Sequence, residues 1–333
     1  MFFPYPILNK GIKVLKNEEY ESFCFTFVFI TFVEHKSIKS MLITQSAGKF
    51  LKRKNLINIG TEQIDITVPV VMGVVNVTPD SFYDGGKMED EKVLLSSVEQ
   101  MVNDGVTLLD VGAVSTKPGA EMISTKIELG RLLPALQAIR NSFPKISISI
   151  DTYRSWVAVR VIDEIGPIMV NDISGGALDS RMFETIGKMG VPYVLSHIQG
   201  TPRDMQDDPQ YDDIIKEISS YFGDRVKQLT KFGVQDIIID PGFGFGKNLD
   251  HNYELLNRLD SFKVFQLPLM VGLSRKSMIW KALGNTPETA LNGTTVANTL
   301  ALLGGADILR VHDVKEAVET VKIFSEIKAS IKR

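Results

Sequence analysis

Residues 70–86 read VVMGVVNVTPDSFYDGG, and this stretch decides the fold. The first six residues, Val70 to Val75, are apolar apart from one glycine, which is typical of a strand buried on both faces. The chain turns polar at Asn76 and stays largely polar to Gly86. An ordinary turn uses the same residue types. The alternative is the rim of a binding site, and the recurrence of the pattern along the chain favours it.

The same unit, an apolar run that ends in polar residues and leads into a helical stretch, occurs eight times from Val70 onward. Strict alternation of strand and helix predicts a parallel sheet. Eight units over about 250 residues predict an α/β fold of the (β/α)8 or TIM-barrel type. An open doubly wound sheet is the alternative. The polar residues at strand ends are Asn76, Asp151, Asn171, His197, Asp240, Lys276 and Arg310. Because the strands of a barrel end on one face, we expect these side chains to form one site.

The chain before Val70 predicts a cap and an extension. Residues 55–67 read NLINIGTEQIDIT, two alternating segments around Gly60-Thr61, which predict a β-hairpin capping one end of the core. Residues 23–32 form an aromatic run well short of the ~20 residues of a membrane span, and no secretory cleavage site follows it. We therefore expect three parts: an extension outside the fold at 1–40, a cap at 41–69 and the barrel at 70–333.

The composition argues against two classes of partner. The chain has 333 residues and a formal net charge of -3, so it has no basic excess for nucleic acid or a membrane surface. Its single cysteine, Cys24, rules out an internal disulfide and fits the reducing cytoplasm.

Three common catalytic motifs are absent from the sequence. Residues 241–247, PGFGFGK, lack the first glycine of a phosphate loop, and Asn248 stands where Ser or Thr would bind magnesium. We interpret these glycines as allowing close approach of the backbone to a ligand or a ring. The four histidines lack metal-ligand spacing, which argues against a zinc site. The sequence also lacks a G-x-S-x-G elbow, which argues against a Ser-His-Asp hydrolase.

Seven motifs, in order, resemble the dihydropteroate synthase family from about Asn55 to the end of the chain. They are NVTPDSF at 76–82, STKPGA at 115–120, IDT at 150–152, NDI at 171–173, DPGFGF at 240–245, SRK at 274–276 and RVHD at 310–313. The resemblance implies a transferase of folate biosynthesis. Such an enzyme joins 6-hydroxymethyl-7,8-dihydropterin diphosphate to para-aminobenzoate and releases diphosphate. It also implies assistance by Mg²⁺ and a homodimer. The alternatives are a pterin-dependent methyltransferase domain and a non-catalytic pterin-binding protein.

The residue types at the strand ends suit a pterin. A pterin presents N–H donors beside one carbonyl, and Asp151, Asn171 and Asp240 can accept from those donors. The resemblance assigns the pterin to these three residues, with Lys276 at its carbonyl and ring nitrogen and Phe243 in the same pocket. An unpaired polar group in a dry pocket costs about 1–3 kcal/mol, so the site should reject rings without the donors. Helix capping or a salt bridge is the alternative role for Asp151 and Asp240.

The eighth strand suits the diphosphate. Arg310 can bind two phosphate oxygens, and His312 projects from the same side two residues later. An ion pair with a nearby acid is the alternative for Arg310. The resemblance makes Asn76 the magnesium ligand, which phosphate oxygens and water must complete. The aminobenzoate carboxylate should meet Ser277 at the start of the helix after strand seven.

We expect a dissociative displacement at this site, in which diphosphate leaves before the amine attacks. Its departure leaves a delocalised cation on the pterin methylene, which the carboxylate of Asp151 can stabilise. A concerted displacement is the alternative. The expected catalytic residues are Asp151, Lys276, Arg310 and His312.

Two loops should close over the reactants, at residues 78–86 and 114–121. The second loop carries three further expected substrate-binding residues, Thr116, Lys117 and Pro118. The family has Arg where this chain has Lys117, and lysine keeps the charge but loses the bidentate geometry. Ala113-Val114 also replace the usual Gly-Glu, so the contacts of this loop differ from the family pattern.

Overall fold

The computed structural model describes residues 54–78, 88–114 and 123–331. In chain order the ten strands of these ranges are β1 Leu56–Ile59, β2 Glu62–Asp65, β3 Val70–Asn76, β4 Leu108–Gly112, β5 Ser147–Asp151, β6 Met169–Asp172, β7 Tyr193–Ser196, β8 Ile237–Asp240, β9 Met270–Val271 and β10 Ile308–Val311. The α-helices are α1 Met88–Asn103, α2 Thr125–Ser142, α3 Ser155–Ile165, α4 Met182–Met189, α5 Ile214–Lys231, α6 Leu249–Asn257, α7 Ser277–Ala282, α8 Leu291–Gly304 and α9 Val314–Ile331. Residues Leu259–Phe265 and Pro287–Thr289 are 3₁₀ helices.

Strands β3 to β10 form one parallel sheet in the order β8-β7-β6-β5-β4-β3-β10-β9. The two ends of this order approach each other, because Ile239 of β8 bridges Leu269 just before β9, and the Ile239 N–H donates to the Pro268 carbonyl at 2.9 Å. The sheet is therefore a nearly closed barrel with helices between its strands. The prediction of a (β/α)8 barrel is confirmed, and the open doubly wound sheet is excluded.

Alternate residues of the barrel strands enter two different apolar clusters. Side chains such as Leu109, Ile148 and Leu309 point outward and pack with the helices in the larger cluster. Their neighbours point inward and fill the lower barrel interior. The inward residues include Met72, Leu108, Met169, Val194, Ile238, Met270 and Ile308. This division follows from the two-residue period of a strand.

The hairpin predicted around Gly60-Thr61 is confirmed. Strands β1 and β2 pair antiparallel, and Gly60 takes a φ of +60° in the turn, where glycine has no steric cost. Four isoleucines of the hairpin segment are at most 5% exposed and belong to the same cluster as the inward barrel residues: Ile57, Ile59, Ile64 and Ile66. The hairpin thus closes the end of the barrel at which the strands begin and leaves the opposite end for a site.

Candidate active site

A polar layer lies directly above the apolar layer of the barrel interior. Side chains two residues apart on a strand point to the same face. The residue two positions after an inward apolar residue therefore also points into the barrel. In this way Asp110 follows Leu108, Asn171 follows Met169, Ser196 follows Val194, Asp240 follows Ile238 and Arg310 follows Ile308. Asp151, the last residue of β5, pairs in register with Asn171.

Arg310 connects two carboxylates in this layer. Its Nε donates to Oδ2 of Asp110 at 2.7 Å, and its Nη2 donates to Oδ2 of Asp151 at 2.8 Å. The same oxygen of Asp110 accepts from Nδ2 of Asn171 at 2.9 Å. The four side chains therefore form one hydrogen-bonded network. The ion pair that was the alternative role for Arg310 is present, and Nη1 has no partner among the described residues.

The contact with Asp110 fixes the orientation of the Asn171 amide. The Asp110 oxygen that accepts from Arg310 also accepts from the amide nitrogen of Asn171, so the amide oxygen of Asn171 is turned away from it. Oδ1 of Asn171 and Oδ1 of Asp110 are both buried, and neither has a partner among the described residues. Because unpaired buried acceptors are costly, these oxygens suit a ligand that presents N–H groups.

The charges of this network depend on each other. Burial raises the pKa of Asp151 to about 7, although Arg310 opposes the shift, and Asp110 adds to it. Burial by itself would lower the pKa of Arg310, but the carboxylates of Asp110 and Asp151 outweigh it and raise that pKa above its ordinary value. Arg310 is therefore a permanent cation, whereas Asp151 can respond to a charge that forms beside it.

Asp240 and Lys276 form the second part of the site. The N–H of Gly242 donates to Oδ1 of Asp240 at 2.8 Å, and Nζ of Lys276 donates to the carbonyl of Phe243. Burial raises the pKa of Asp240, an effect that Lys276 opposes. Burial lowers the pKa of Lys276 to about 8, and the nearby carboxylate of Asp240 opposes this shift. Each group thus lowers the cost of burying the other's charge.

The two phenylalanines of the loop after β8 have different surroundings. The side chain of Phe243 is fully buried in the outer apolar cluster, and its carbonyl is the group that contacts Lys276. The Phe245 ring is half-buried and lies 4.4 Å from Nζ of Lys276, within range of a cation–π interaction. The ring beside Lys276 is therefore that of Phe245, and the contact of Phe243 with the substrate stays a prediction.

Three other predicted site residues surround this centre. Asn76 is half-buried at the end of β3, and Ser277 is the first residue of α7. His312 follows β10, and Oγ of Ser274 lies 3.1 Å from its Nδ1. The His312 side chain is exposed, and desolvation of the ring by its neighbours, together with the nearby cation of Arg310, lowers its pKa below the ordinary value.

The remaining predictions concern parts of the chain that the structure does not describe. Thr116, Lys117 and Pro118 lie outside the described residues, as do most of the two expected loops and the whole extension at 1–40. Within the described ranges, no three His, Cys, Asp or Glu side chains come close enough to hold a metal ion. No helix in those ranges has the length and hydropathy needed to cross a membrane.

Two residues of the site were not predicted from the sequence. Asp110 lies inside the apolar run of β4, and that charge within an apolar run was the available signal. Lys247 is only 2% exposed, and its Nζ donates to the carbonyls of Gly242 and Phe245 at 2.9 and 3.0 Å. Its signal was the glycine-rich segment, which resembled a phosphate loop but lacked the required pattern.

Comparison with known proteins agrees with the geometry. The family model described as pterin binding enzyme matches residues 72–312. The dihydropteroate synthase of Escherichia coli (strain K12) is 42% identical over 262 residues, which are 78% of this chain and 92% of that protein. The dihydropteroate synthase of Synechocystis is 41% identical over 256 residues, 76% of this chain and 88% of that protein.

Solved structures of the same kind superpose on this chain. The Yersinia pestis dihydropteroate synthase, in complex with a sulfonamide drug, has a TM-score of 0.77 and 38% identity, covering 82% of this chain and 99% of that one. The Xanthomonas albilineans dihydropteroate synthase with 4-aminobenzoic acid has a TM-score of 0.76 and 32% identity, covering 83% of this chain and 98% of that one. This chain belongs to the pterin-binding enzyme family, within the dihydropteroate synthases.

Proposed function

We propose that this chain is a transferase that joins 6-hydroxymethyl-7,8-dihydropterin diphosphate to para-aminobenzoate, giving 7,8-dihydropteroate and diphosphate for folate biosynthesis. The observation that carries the proposal is the polar layer of the barrel, in which acceptors from Asp151, Asn171 and Asp240 lie beside the donors of Lys276 and Arg310. A pterin edge has the matching donors and one carbonyl.

The pterin would be held by the buried acceptors. Asp240 and the fixed oxygen of Asn171 accept ring and exocyclic N–H groups, and Lys276 donates to the ring carbonyl. Because Lys276 donates to the Phe243 carbonyl and lies over the Phe245 ring, contacts within the protein hold its side chain in position. Such preorganisation avoids the entropic cost of fixing a flexible lysine during binding.

The diphosphate would meet Arg310 and His312. With the N–H of Nε and one N–H of Nη2 held by carboxylates, Arg310 keeps the two N–H groups of Nη1 and the second N–H of Nη2 for phosphate oxygens. As diphosphate leaves, negative charge grows on its oxygens and positive charge grows on the pterin methylene. Arg310 stabilises the first charge and Asp151 the second, so both contacts strengthen in the transition state. This division of roles supports the dissociative order of events.

We propose Asn76 as a ligand of the magnesium ion. Its amide is half-buried at the end of β3, near the strand ends that carry the site. One amide does not make a magnesium site, so phosphate oxygens and water would complete the coordination. When bound, the ion would neutralise charge on the diphosphate.

The aminobenzoate carboxylate would bind at Ser277. Lys276 is the N-cap of α7 and has extended backbone angles, and the N–H groups of Ser277 and Met278 have no partner among the described residues, so they are open to an anion. Because α7 has only six residues, these local donors and the Ser277 hydroxyl would provide the contact, with little help from a helix dipole.

A homodimer is part of the proposal. Five apolar residues on the neighbouring helices α8 and α9 are each 48% to 66% exposed: Val296, Leu300, Leu303, Ile323 and Ile327. Their spacing of three and four residues puts them on one face of each helix. An exposed apolar face of this kind is typical of a subunit interface. Light scattering should show a dimer that Leu303→Glu dissociates.

We also propose that the protein works in the cytoplasm.

The activity is tested by a two-substrate assay with purified protein. The expected result is release of diphosphate together with formation of dihydropteroate when both substrates and Mg²⁺ are present. A methyltransferase domain would use a methylated pterin and would release no diphosphate. A non-catalytic pterin-binding protein would bind the pterin alcohol in calorimetry and give no product. Either of those results would replace the proposed function.

A further inference from the structure

Lys247 is a fully buried lysine with three hydrogen-bond partners. Its Nζ lies 3.0 Å from Nδ1 of His197, 2.9 Å from the carbonyl oxygen of Gly242 and 3.0 Å from that of Phe245. No carboxylate lies within ion-pair distance of it in the described residues. Burial of a polar group is costly unless the group is hydrogen-bonded, and these three contacts supply that compensation.

The contacts of Lys247 hold in either protonation state. Burial lowers its pKa well below the ordinary value, and Asp240 opposes the shift. As an ammonium, Lys247 donates to all three partners. As an amine, it donates to the two carbonyls and accepts from an Nδ1–H of His197. His197 is 7% exposed and its own pKa is lowered by burial and by Lys247, so it adds no competing charge.

The loop that Lys247 closes has a side-chain donor on each of six consecutive carbonyls. Lys247 binds those of Gly242 and Phe245, and Lys276 binds that of Phe243. The other three donors are Gln206 to Gly244, Tyr211 to Gly246 and Asn252 to Lys247 itself. Lys247 is the buried donor that ties both ends of the Gly242–Phe245 segment together. This segment therefore has one defined backbone conformation.

The Gly242–Phe245 segment contacts Asp240 and Lys276, two residues predicted to bind the pterin. The N–H of Gly242 orients Asp240, and a Cβ added at Gly244 would lie 3.3 Å from Cδ of Lys276. Gly242 has a φ of +70° and Gly244 a φ of +79°, which favour glycine. A Cβ at Gly242 would lie 1.9 Å from the carbonyl oxygen of His197. The backbone thus lies directly against the side chains that it positions.

We infer that Lys247 is a positioning residue for pterin recognition, because it fixes the Gly242–Phe245 backbone that holds Asp240 and Lys276. It acts through those two residues and has no contact with the reacting atoms. The inference rests on the proposed function for the identity of the ligand. Its physical basis is separate, since the three contacts of Lys247 are all made within the protein.

The test is the steady-state kinetics of Lys247→Met, which keeps the length of the side chain and removes its donors. We expect KM for the pterin diphosphate to rise about tenfold or more, while KM for para-aminobenzoate changes by less than about twofold. Calorimetry should show the same weakening for the pterin alcohol. A purely structural role would reduce the active fraction, and hence kcat, while leaving both KM values unchanged. That result, or unchanged kinetics, would overturn the inference.

A matched control is Gln206→Ala, which removes the donor to the neighbouring Gly244 carbonyl from the exposed side of the loop. Its KM for the pterin diphosphate should stay within about twofold of wild type. An equal effect of both variants would show that Lys247 has no special role. If Lys247→Met does not fold, Lys247→Gln replaces it and is judged by the same criteria. Wild type that binds the pterin alcohol but releases no diphosphate would refute the proposed function and leave this inference testable by calorimetry.

Discussion

Nε of Arg310 donates a 2.7 Å hydrogen bond to Oδ2 of Asp110, a fully buried carboxylate 200 positions earlier in the chain. A buried ion pair contributes little net stability, because the desolvation of both charges offsets their attraction. It does fix geometry. Arg310 cannot swing away from the barrel axis while Asp110 and Asp151 hold two of its nitrogens. The two ion pairs therefore fix the position of the guanidinium, and Nη1 has no partner among the described residues.

Loss of Asp110 should disturb both of its partners. Asp110→Ala should lower the free energy of unfolding by about 1–3 kcal/mol, because Arg310 and Asn171 each lose a buried partner. Asp110→Asn should be better tolerated, since its amide oxygen can still accept both hydrogen bonds. Urea unfolding of the two variants measures the difference. If Asp110→Ala were as stable as wild type, the network would have no role in the fold.

Substitution of Asp240 should abolish pterin binding and preserve the fold. Asp240→Asn can place a donor where the ligand also has donors, so the contact becomes repulsive. Calorimetry with the pterin alcohol and a thermal melt together check this expectation. Asp163→Asn, an exposed carboxylate on α3, is the control and should bind as wild type does. Unchanged affinity in a well-folded Asp240→Asn protein would remove Asp240 from the site.

The pKa of Asp151 predicts how stability changes with pH. In the folded protein that pKa is raised to about 7, chiefly by burial, whereas an unfolded aspartate titrates near pH 4. Between these values the folded protein holds a proton that the unfolded chain has released. The stabilisation is complete below the unfolded pKa and is lost as the pH rises through the folded pKa.

Asp151→Asn removes this titration and is the comparison. The free energy of unfolding of wild type, relative to the variant, should fall by an amount on the order of 1–3 kcal/mol between pH 4 and pH 7. Urea denaturation across this range supplies the values. A relative stability that stays flat or increases with pH would show that Asp151 has an ordinary pKa.

A chain that starts at Met41 should fold and turn over as the full chain does. The hairpin begins at Leu56, and the barrel follows at Val70, so both lie beyond the cut. Soluble yield, circular dichroism and the two-substrate rate measure the outcome. Loss of soluble protein or of activity would show that residues before Met41 are required.

The fold was predictable because its signals are local. Each apolar run marks a strand buried on both faces, and a turn at Gly60-Thr61 marks the hairpin. The polar ends of strands also marked Asp151, Asn171 and Asp240. These residues cluster because parallel strands all end on the same side of a barrel.

The connections between these residues were not predictable from local signals. Nothing near Asp110 in the sequence indicates its pairing with Arg310, which depends on the register of β4, β3 and β10. The surroundings of Phe243 and Phe245 were hidden for another reason. The glycines that flank them adopt positive φ, so the segment has no strand or helix period from which to infer the buried ring.

Diphosphate release by wild type and Arg310→Ala, with and without para-aminobenzoate, tests the proposed chemistry most directly. If Arg310 stabilises the leaving group, its loss should cost about 2–4 kcal/mol of transition-state stabilisation while binding of the pterin alcohol changes little. If diphosphate leaves before the amine attacks, wild type should also release it slowly without aminobenzoate, as water traps the cation. Equal release rates in the two proteins, with both substrates present, would contradict the role of Arg310 in the reaction.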